Sequence, residues 1–251
     1  MPLPCNPTFR LPLAHAIPPH HLPPAPTMFP NIQSCLICHT AQPHALCTAC
    51  QSELRQLFPN PQHLCPRCGE FSLNQALCGN CQRHPPPYSA FWACAEYIAP
   101  IPALLHAWKH HGSRHLAPVF TWLLHENPPP WLASQTFDAV LAMPISRERR
   151  LQRGFNQCDR LAQTITQRYT IPLLPPHSVY RAPKPPQSTL SAADRAHNIR
   201  GAFRLDANVK DCKVMIIDDV STTHSSIAEL SRVLLMAGAA EVYACVVACN
   251  K

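Results

Sequence analysis

Two groups of residues in this 251-residue chain have types and spacings that could do chemistry. The first is VMIIDDVSTTHSS, residues 214–226. An apolar run ends in two carboxylates, Asp218 and Asp219, followed by Ser221, Thr222, Thr223, His224, Ser225 and Ser226. Ribose hydroxyls are hydrogen-bond donors, so adjacent carboxylates at a strand end can grip the 2′ and 3′ positions of a sugar. A phosphate monoester wants backbone N–H groups, hydroxyls and a helix N-terminus. Residues 222–226 offer these at the head of the apolar-periodic segment 226–239. The same residues also fit an ordinary strand-to-helix connection with capping and turn residues.

The second group is cysteine. Eight of the 14 cysteines form four C-x-x-C pairs, Cys35/Cys38, Cys47/Cys50, Cys65/Cys68 and Cys78/Cys81, separated by 8, 14 and 9 residues. Paired thiols at this spacing in a reducing compartment point to metal rather than disulfides. Two pairs complete a tetrahedral zinc site, and all-cysteine coordination is structural rather than catalytic. Two structural zinc ions are therefore expected. Sequential pairing is favoured over crossed pairing because its loops are shorter. Gly69 and Gly79 follow cysteines where knuckle turns use positive φ.

Several elements must position these groups. Residues 1–30 hold ten prolines and read as an extended, disordered leader, with residues 1–27 dispensable and Met28 a candidate start. Residues 31–84 form the cysteine module, and HPPPY at 84–88 a stiff connector. From 90 to 251 strands and helices alternate. Strands are expected at 91–99, 137–144, 171–174, 201–205, 213–218 and 241–249, the last closing the sheet, and helices at 102–112, 115–127, 155–169 and 226–239. That rhythm predicts an α/β fold with a parallel sheet and right-handed crossovers. Ligands of such sheets sit at the carboxyl ends of strands, where 144–154 and 218–226 fall.

Charge narrows the partners only locally. The formal net charge is +7, but two zinc–tetrathiolate sites of about −2 each would bring it near +3. Arg147, Arg149, Arg150 and Arg153 cluster and read either as a solvated face or as a nucleic-acid contact. No apolar run approaches the ~20 residues that span a bilayer, and a cytoplasmic protein is expected.

With its surroundings, the acidic stretch resembles the phosphoribosyl pyrophosphate signature of type I phosphoribosyltransferases, and the whole resembles the ComF family. The resemblance rests on PISRERRLQRGFNQCDRLAQ (144–163), APKPPQSTLSAADRAHNIRGAF (182–203), LLHAWKHHG (104–112) and the cysteine ribbon, and covers roughly 33–250. It implies a type I phosphoribosyltransferase-like domain behind a double zinc ribbon, with a link to competence and natural transformation, the uptake of DNA. It also implies that Asp218 and Asp219 bind ribose and that Thr222, Thr223, His224, Ser225 and Ser226 form the 5′-phosphate loop. Pro144, Ile145, Ser146 and Arg147 match the loop that holds pyrophosphate with Mg²⁺. Lys109, Arg153, Gln187, Arg195 and Asn198 become candidate catalytic residues, the last three equally readable as loop anchors.

The implied reaction is glycosyl transfer: a nucleophile displaces pyrophosphate from C1 of the ribose, and Mg²⁺ and arginines neutralise the departing charge. The acceptor is not legible. The alternative is a catalytically degenerate binding module that contacts single-stranded DNA or a competence helicase. His224 stands where the signature has glycine. It must take a left-handed conformation, at about 1 kcal/mol, or let the loop reshape. The first option weakens ligand affinity roughly fivefold, so His224→Gly is expected to tighten binding. A protonated imidazole would partly compensate by contacting the phosphate.

Overall fold

The computed structural model describes residues 33–183 and 199–250. The proline-rich leader and Gln187, Arg195 and Asn198 lie outside the described residues.

Two ribbons come first, and they repeat one local design. β1 (Gln33–Ser34) pairs antiparallel with β2 (Ala41–Gln42) and flanks the first C-x-x-C turn. In that turn the N–H of His39 donates to the Cys35 carbonyl, and that of Gly69 donates to Cys65 in the second. The residue after each turn is left-handed, His39 at φ 61 and Gly69 at φ 74. The other pair of each tetrad opens a helix: Cys47 caps α1 (Thr48–Arg55), and Cys78 caps α2 (Gly79–Arg83). Gly79 therefore starts a helix with no positive φ, contrary to the sequence expectation.

The main sheet contains β3 (Ala90–Glu96), β4 (Ala139–Ala142), β7 (Lys213–Ser221) and β8 (Glu241–Cys249), ordered β3-β8-β7-β4 and all parallel. β8 does not close the sheet; it lies between β3 and β7. Its unbroken apolar run fits a strand covered on both faces. Segment 171–174 contributes only a bridge from Leu173 to Val140. Segment 201–205 is not in the main sheet: β6 (Phe203–Leu205) pairs antiparallel with β5 (Val179–Arg181), a strand the periodicity did not show.

Helices cover both faces. Met215 and Ile217 of β7 join the core of α3 (Ile101–His110), α4 (Ala117–Glu126) and α6 (Gln157–Tyr169). Val214 and Ile216 join the core of α7 (Ser225–Met236). This alternation is the period of two that strand geometry imposes. α5 (Arg147–Arg153) has no apolar stripe and escapes periodicity; Ser146 caps its start and left-handed Gly154 ends it. The first ribbon joins the sheet core through Cys35, Leu46 and Leu54. Among the described residues, no helix is long and apolar enough to cross a membrane.

Candidate functional site

The cysteines form two tetrads in sequential order, Cys35/Cys38/Cys47/Cys50 and Cys65/Cys68/Cys78/Cys81, with the sulfurs of each within 4.8 Å of one another. Cys38 and Cys47 lie 3.6 Å apart, as do Cys68 and Cys78. Four sulfurs at about 2.3 Å from a central ion are separated by about 3.8 Å, so the cages fit zinc. Backbone N–H groups aim at the sulfurs, Cys47 at Cys35 (3.5 Å) and Cys78 at Cys65 (3.4 Å). Burial raises the Cys35 and Cys65 thiols, but the N–H groups outweigh it and lower them to about 6 and about 7. Burial and the neighbouring thiols push Cys50, Cys68 and Cys81 up instead, so each cage holds a readily ionised thiol beside thiols that lose their protons only to a bound metal.

The second site lies at the carboxyl end of β7. Strand alternation sends Asp219 to the α3/α6 face. There Lys109 Nζ lies 2.9 Å from its Oδ2, and Gln157 Nε2 donates to the same oxygen at 2.5 Å. Asp219 is buried at 3 % exposure. Burial lowers the Lys109 amine, but the carboxylates, Asp219 foremost, more than reverse this and raise it. Asp218 lines the loop at the start of α7, yet its carboxylate stays within 4.8 Å of that of Asp219 and of the Cys158 sulfur. Its Oδ1 accepts from the Cys158 thiol (3.3 Å) and from the Asp219 N–H (2.8 Å). Burial and then the Asp219 charge push its carboxyl up to about 6. The two acids are thus unequal: Asp218 lines the loop cavity, while Asp219 is held in an ion pair.

That cavity, about 80 Å³, is bounded by Asp218, Thr222, Thr223, His224, Ser225 and Ser226, among others. Ser225 and Ser226 begin α7, so the free N–H groups of its first turn belong to the loop. Thr223 Oγ1 and Ser225 Oγ lie 2.9 Å apart. His224 takes the left-handed conformation (φ 57, ψ 4), so the loop is not reshaped around it. Its ring turns toward β3: Nδ1 is 3.0 Å from Tyr88 Oη, and the ring centroid lies 4.1 Å from that of Phe91. Burial lowers its pKa to about 4, so the imidazole is neutral near pH 7. The compensating positive charge expected from sequence is not available.

The RGFNQ run has a structural logic. Gly154 ends α5 and Asn156 caps α6, while Asn156 Nδ2 donates to the Met143 carbonyl (3.0 Å) at the end of β4. This fixes Gln157 against Asp219, and Arg153 Nη1 reaches Gln157 Oε1 at 3.2 Å. Ile145 and Ser146 form the turn after β4; Ser146 is buried as a helix cap, and Arg147 is exposed. Sequence reasoning missed Arg181. From β5 it reaches the Pro144 carbonyl (3.4 Å) and Ser226 Oγ (3.5 Å), linking the two strand-end loops. Burial lowers its pKa and Asp218 opposes that. The nearest signal was its place at the head of the polar stretch 182–203. Gln157 and Cys158 were likewise missed as partners of the two acids.

The geometry defines a class: a parallel α/β protein with a polar strand-end site, preceded by two tetrathiolate ribbons. The family description "Double zinc ribbon domain" matches residues 26–87. The chain is 33 % identical over 204 residues to the DNA utilization protein YhgH of Escherichia coli strain K12, covering 78 % of this chain and 87 % of that one. It is 28 % identical over 208 residues to Competence protein F of Haemophilus influenzae, covering 79 % and 88 %. The chain belongs to the ComF family that these proteins represent. Among solved structures, Leishmania donovani UMP synthase matches 53 % of this chain and 22 % of its own (19 % identity, TM-score 0.29). Phosphoribosylpyrophosphate synthetase from Mycobacterium smegmatis matches 52 % and 33 % (18 % identity, TM-score 0.28). The chain thus spans a third or less of either, and scores this low carry no argument about the ligand.

Proposed function

We propose that the strand-end site binds phosphoribosyl pyrophosphate or a related sugar-phosphate, and that the protein serves DNA uptake, in keeping with relatives named for DNA utilization and competence. The observation that carries the reading is the cavity in which Asp218 faces the hydroxyls and free amides at the start of α7. A 5′-phosphate fits the amides and the Thr222, Thr223, Ser225 and Ser226 hydroxyls. Ionised Asp218 accepts from ribose hydroxyls, and Asp219 acts mainly by fixing Lys109. Ile145, Ser146 and Arg147, with Arg181 beside them, face the diphosphate. Mg²⁺ belongs to the ligand in this reading, since such ions are usually carried by substrate phosphates and keep several waters.

If the site is a transferase, Lys109, Arg153 and Arg181 supply the positive field in which pyrophosphate leaves C1. Gln187, Arg195 and Asn198 remain candidates for loop contacts to the same ligand. Calorimetry with phosphoribosyl pyrophosphate and Mg²⁺ tests the reading: micromolar binding is expected, lost in Asp218→Asn. No heat at millimolar ligand would remove it.

A second reading has its own observation. His110 at the end of α3 and Arg114 just beyond it adjoin α5: Arg153 helps lower the His110 pKa, behind burial, and Arg114 lies against Gly154. This basic strip suits a nucleic-acid backbone and so a module for single-stranded DNA or a helicase-bound strand. Salt-sensitive DNA binding without pyrophosphate release would favour it.

A further inference from the structure

We propose that His224 is a positioning residue that clamps the phosphate loop to the second zinc ribbon, so that the second tetrad, and not the first, governs the shape of the ligand site. The inference rests on the phosphate reading of that loop, but the clamp can be measured without ligand.

His224 precedes α7 as its N-cap, yet its side chain caps nothing. Every part of the ring is engaged elsewhere. Nδ1 meets Tyr88 Oη at 3.0 Å, Nε2 lies 3.5 Å from Cys249 Sγ, and the ring packs against Phe91 at 4.1 Å. Tyr88 belongs to the connector that leaves the second ribbon, and Phe91 is the second residue of β3. Phe91 in turn receives the ribbon itself: a Cβ on Gly69 would stand 2.8 Å from Phe91 Cδ1. Gly69 is the left-handed residue that follows Cys68 and hydrogen-bonds to Cys65.

A continuous path of packed groups therefore runs from the second knuckle through Gly69, Phe91 and His224 into the loop. Loop and tetrad also share a cleft of about 230 Å³, bounded by Cys68, Cys81, Tyr88, Thr222, Thr223 and His224 among others. The first ribbon docks differently. Its Leu57 carbonyl accepts from Glu96 at the far end of β3, and Arg55 pairs with Glu126 of α4 (2.6 Å). Glycine at 224 would adopt the left-handed backbone freely but could form none of the ring contacts. Histidine here exchanges backbone freedom for a tether, and a loop held in one shape binds its ligand with less ordering to do.

The test uses the full chain and two readouts: amide hydrogen exchange of residues 222–227, and binding of inorganic phosphate. In Cys65→Ser, exchange in the loop should accelerate about tenfold or more while β7 and β8 stay protected, a sub-global opening. Cys35→Ser should leave loop exchange near wild type. His224→Asn, which tolerates positive φ but lacks the ring, should match Cys65→Ser while retaining both zinc ions; Tyr88→Phe, which keeps its ring, should fall between. Unchanged loop exchange in Cys65→Ser and His224→Asn overturns the clamp, whatever the phosphate result. Equal acceleration by Cys35→Ser and Cys65→Ser overturns the assignment to the second ribbon. A loop that loosens as expected in a protein that binds no phosphate upholds the clamp and removes the ligand reading instead.

Discussion

The pair Lys109–Asp219 allows a sharp test of how the site is held. The two groups lie 2.9 Å apart, with side-chain exposures of 16 % and 4 %. Breaking a buried pair by removing one partner costs about 3–5 kcal/mol, because the remaining charge is left uncompensated. Lys109→Met should approach that range, since Asp219 would keep only Gln157 and a neighbouring guanidinium. Asp219→Asn should cost less, about 1–2 kcal/mol: the amide still accepts from Gln157, and Lys109 can extend toward water. The informative variant is the double one. Once Lys109 is methionine, Asp219→Asn removes a stranded charge, so it should stabilise the protein by about 2 kcal/mol. Each kcal/mol moves the melting temperature by about 2–4 °C in a chain of this size, so the double variant should melt several degrees above Lys109→Met. The Lys109 amine is raised in the folded state, so the pair's contribution is fully present below the unfolded lysine pKa and is lost as pH rises through the higher folded value. Melting at pH 7 with zinc held constant is the assay. If Asp219→Asn destabilises both backgrounds equally, the two charges are not coupled and the account of Asp219 as a structural anchor is wrong.

Other consequences are direct. Burial and the Asp219 charge push the Asp218 carboxyl up to about 6, so affinity for a ribose ligand should fall as pH drops from 7 to 5 by calorimetry, and Asp218→Asn should show no binding at either pH. That same raised pKa is a stability cost that builds as pH rises from the ordinary aspartate range through about 6 and is constant above, so the melting advantage of Asp218→Asn over wild type should grow between pH 4 and pH 7 and stay level to pH 8. Arg181→Met should weaken phosphate-ligand binding by roughly 10- to 100-fold, the worth of one charged hydrogen bond, and should also lower the melting temperature by a few degrees, because the same guanidinium ties the two loops together. Elemental analysis should find two zinc ions per chain, and a value near one would show that one tetrad is not a cage.

Much of this was legible in the sequence because it is local. The C-x-x-C spacing announces a metal turn, since one short loop supplies both thiols of a pair, and the short links between pairs favoured the sequential cages the structure contains. The DD-to-hydroxyl run marks the approach of a strand end, although β7 continues through both aspartates to Ser221, and α3, α6 and α7 were visible as apolar stripes. α5 was not, since a helix fixed by its caps and covered with arginines has no stripe to read. The inner position of β8 was also hidden, because a strand buried on both faces looks alike at an edge and at a centre. What only tertiary structure decided is the inequality of the two aspartates and the role of His224. Asp219 meets Lys109 and Gln157 while Asp218 meets Cys158 and lines the loop, and these partners come from α3 and α6, distant in sequence. His224 meets a tyrosine 136 residues away. No spacing rule spans such a gap, because those contacts exist only once the sheet has brought the ribbon against the loop.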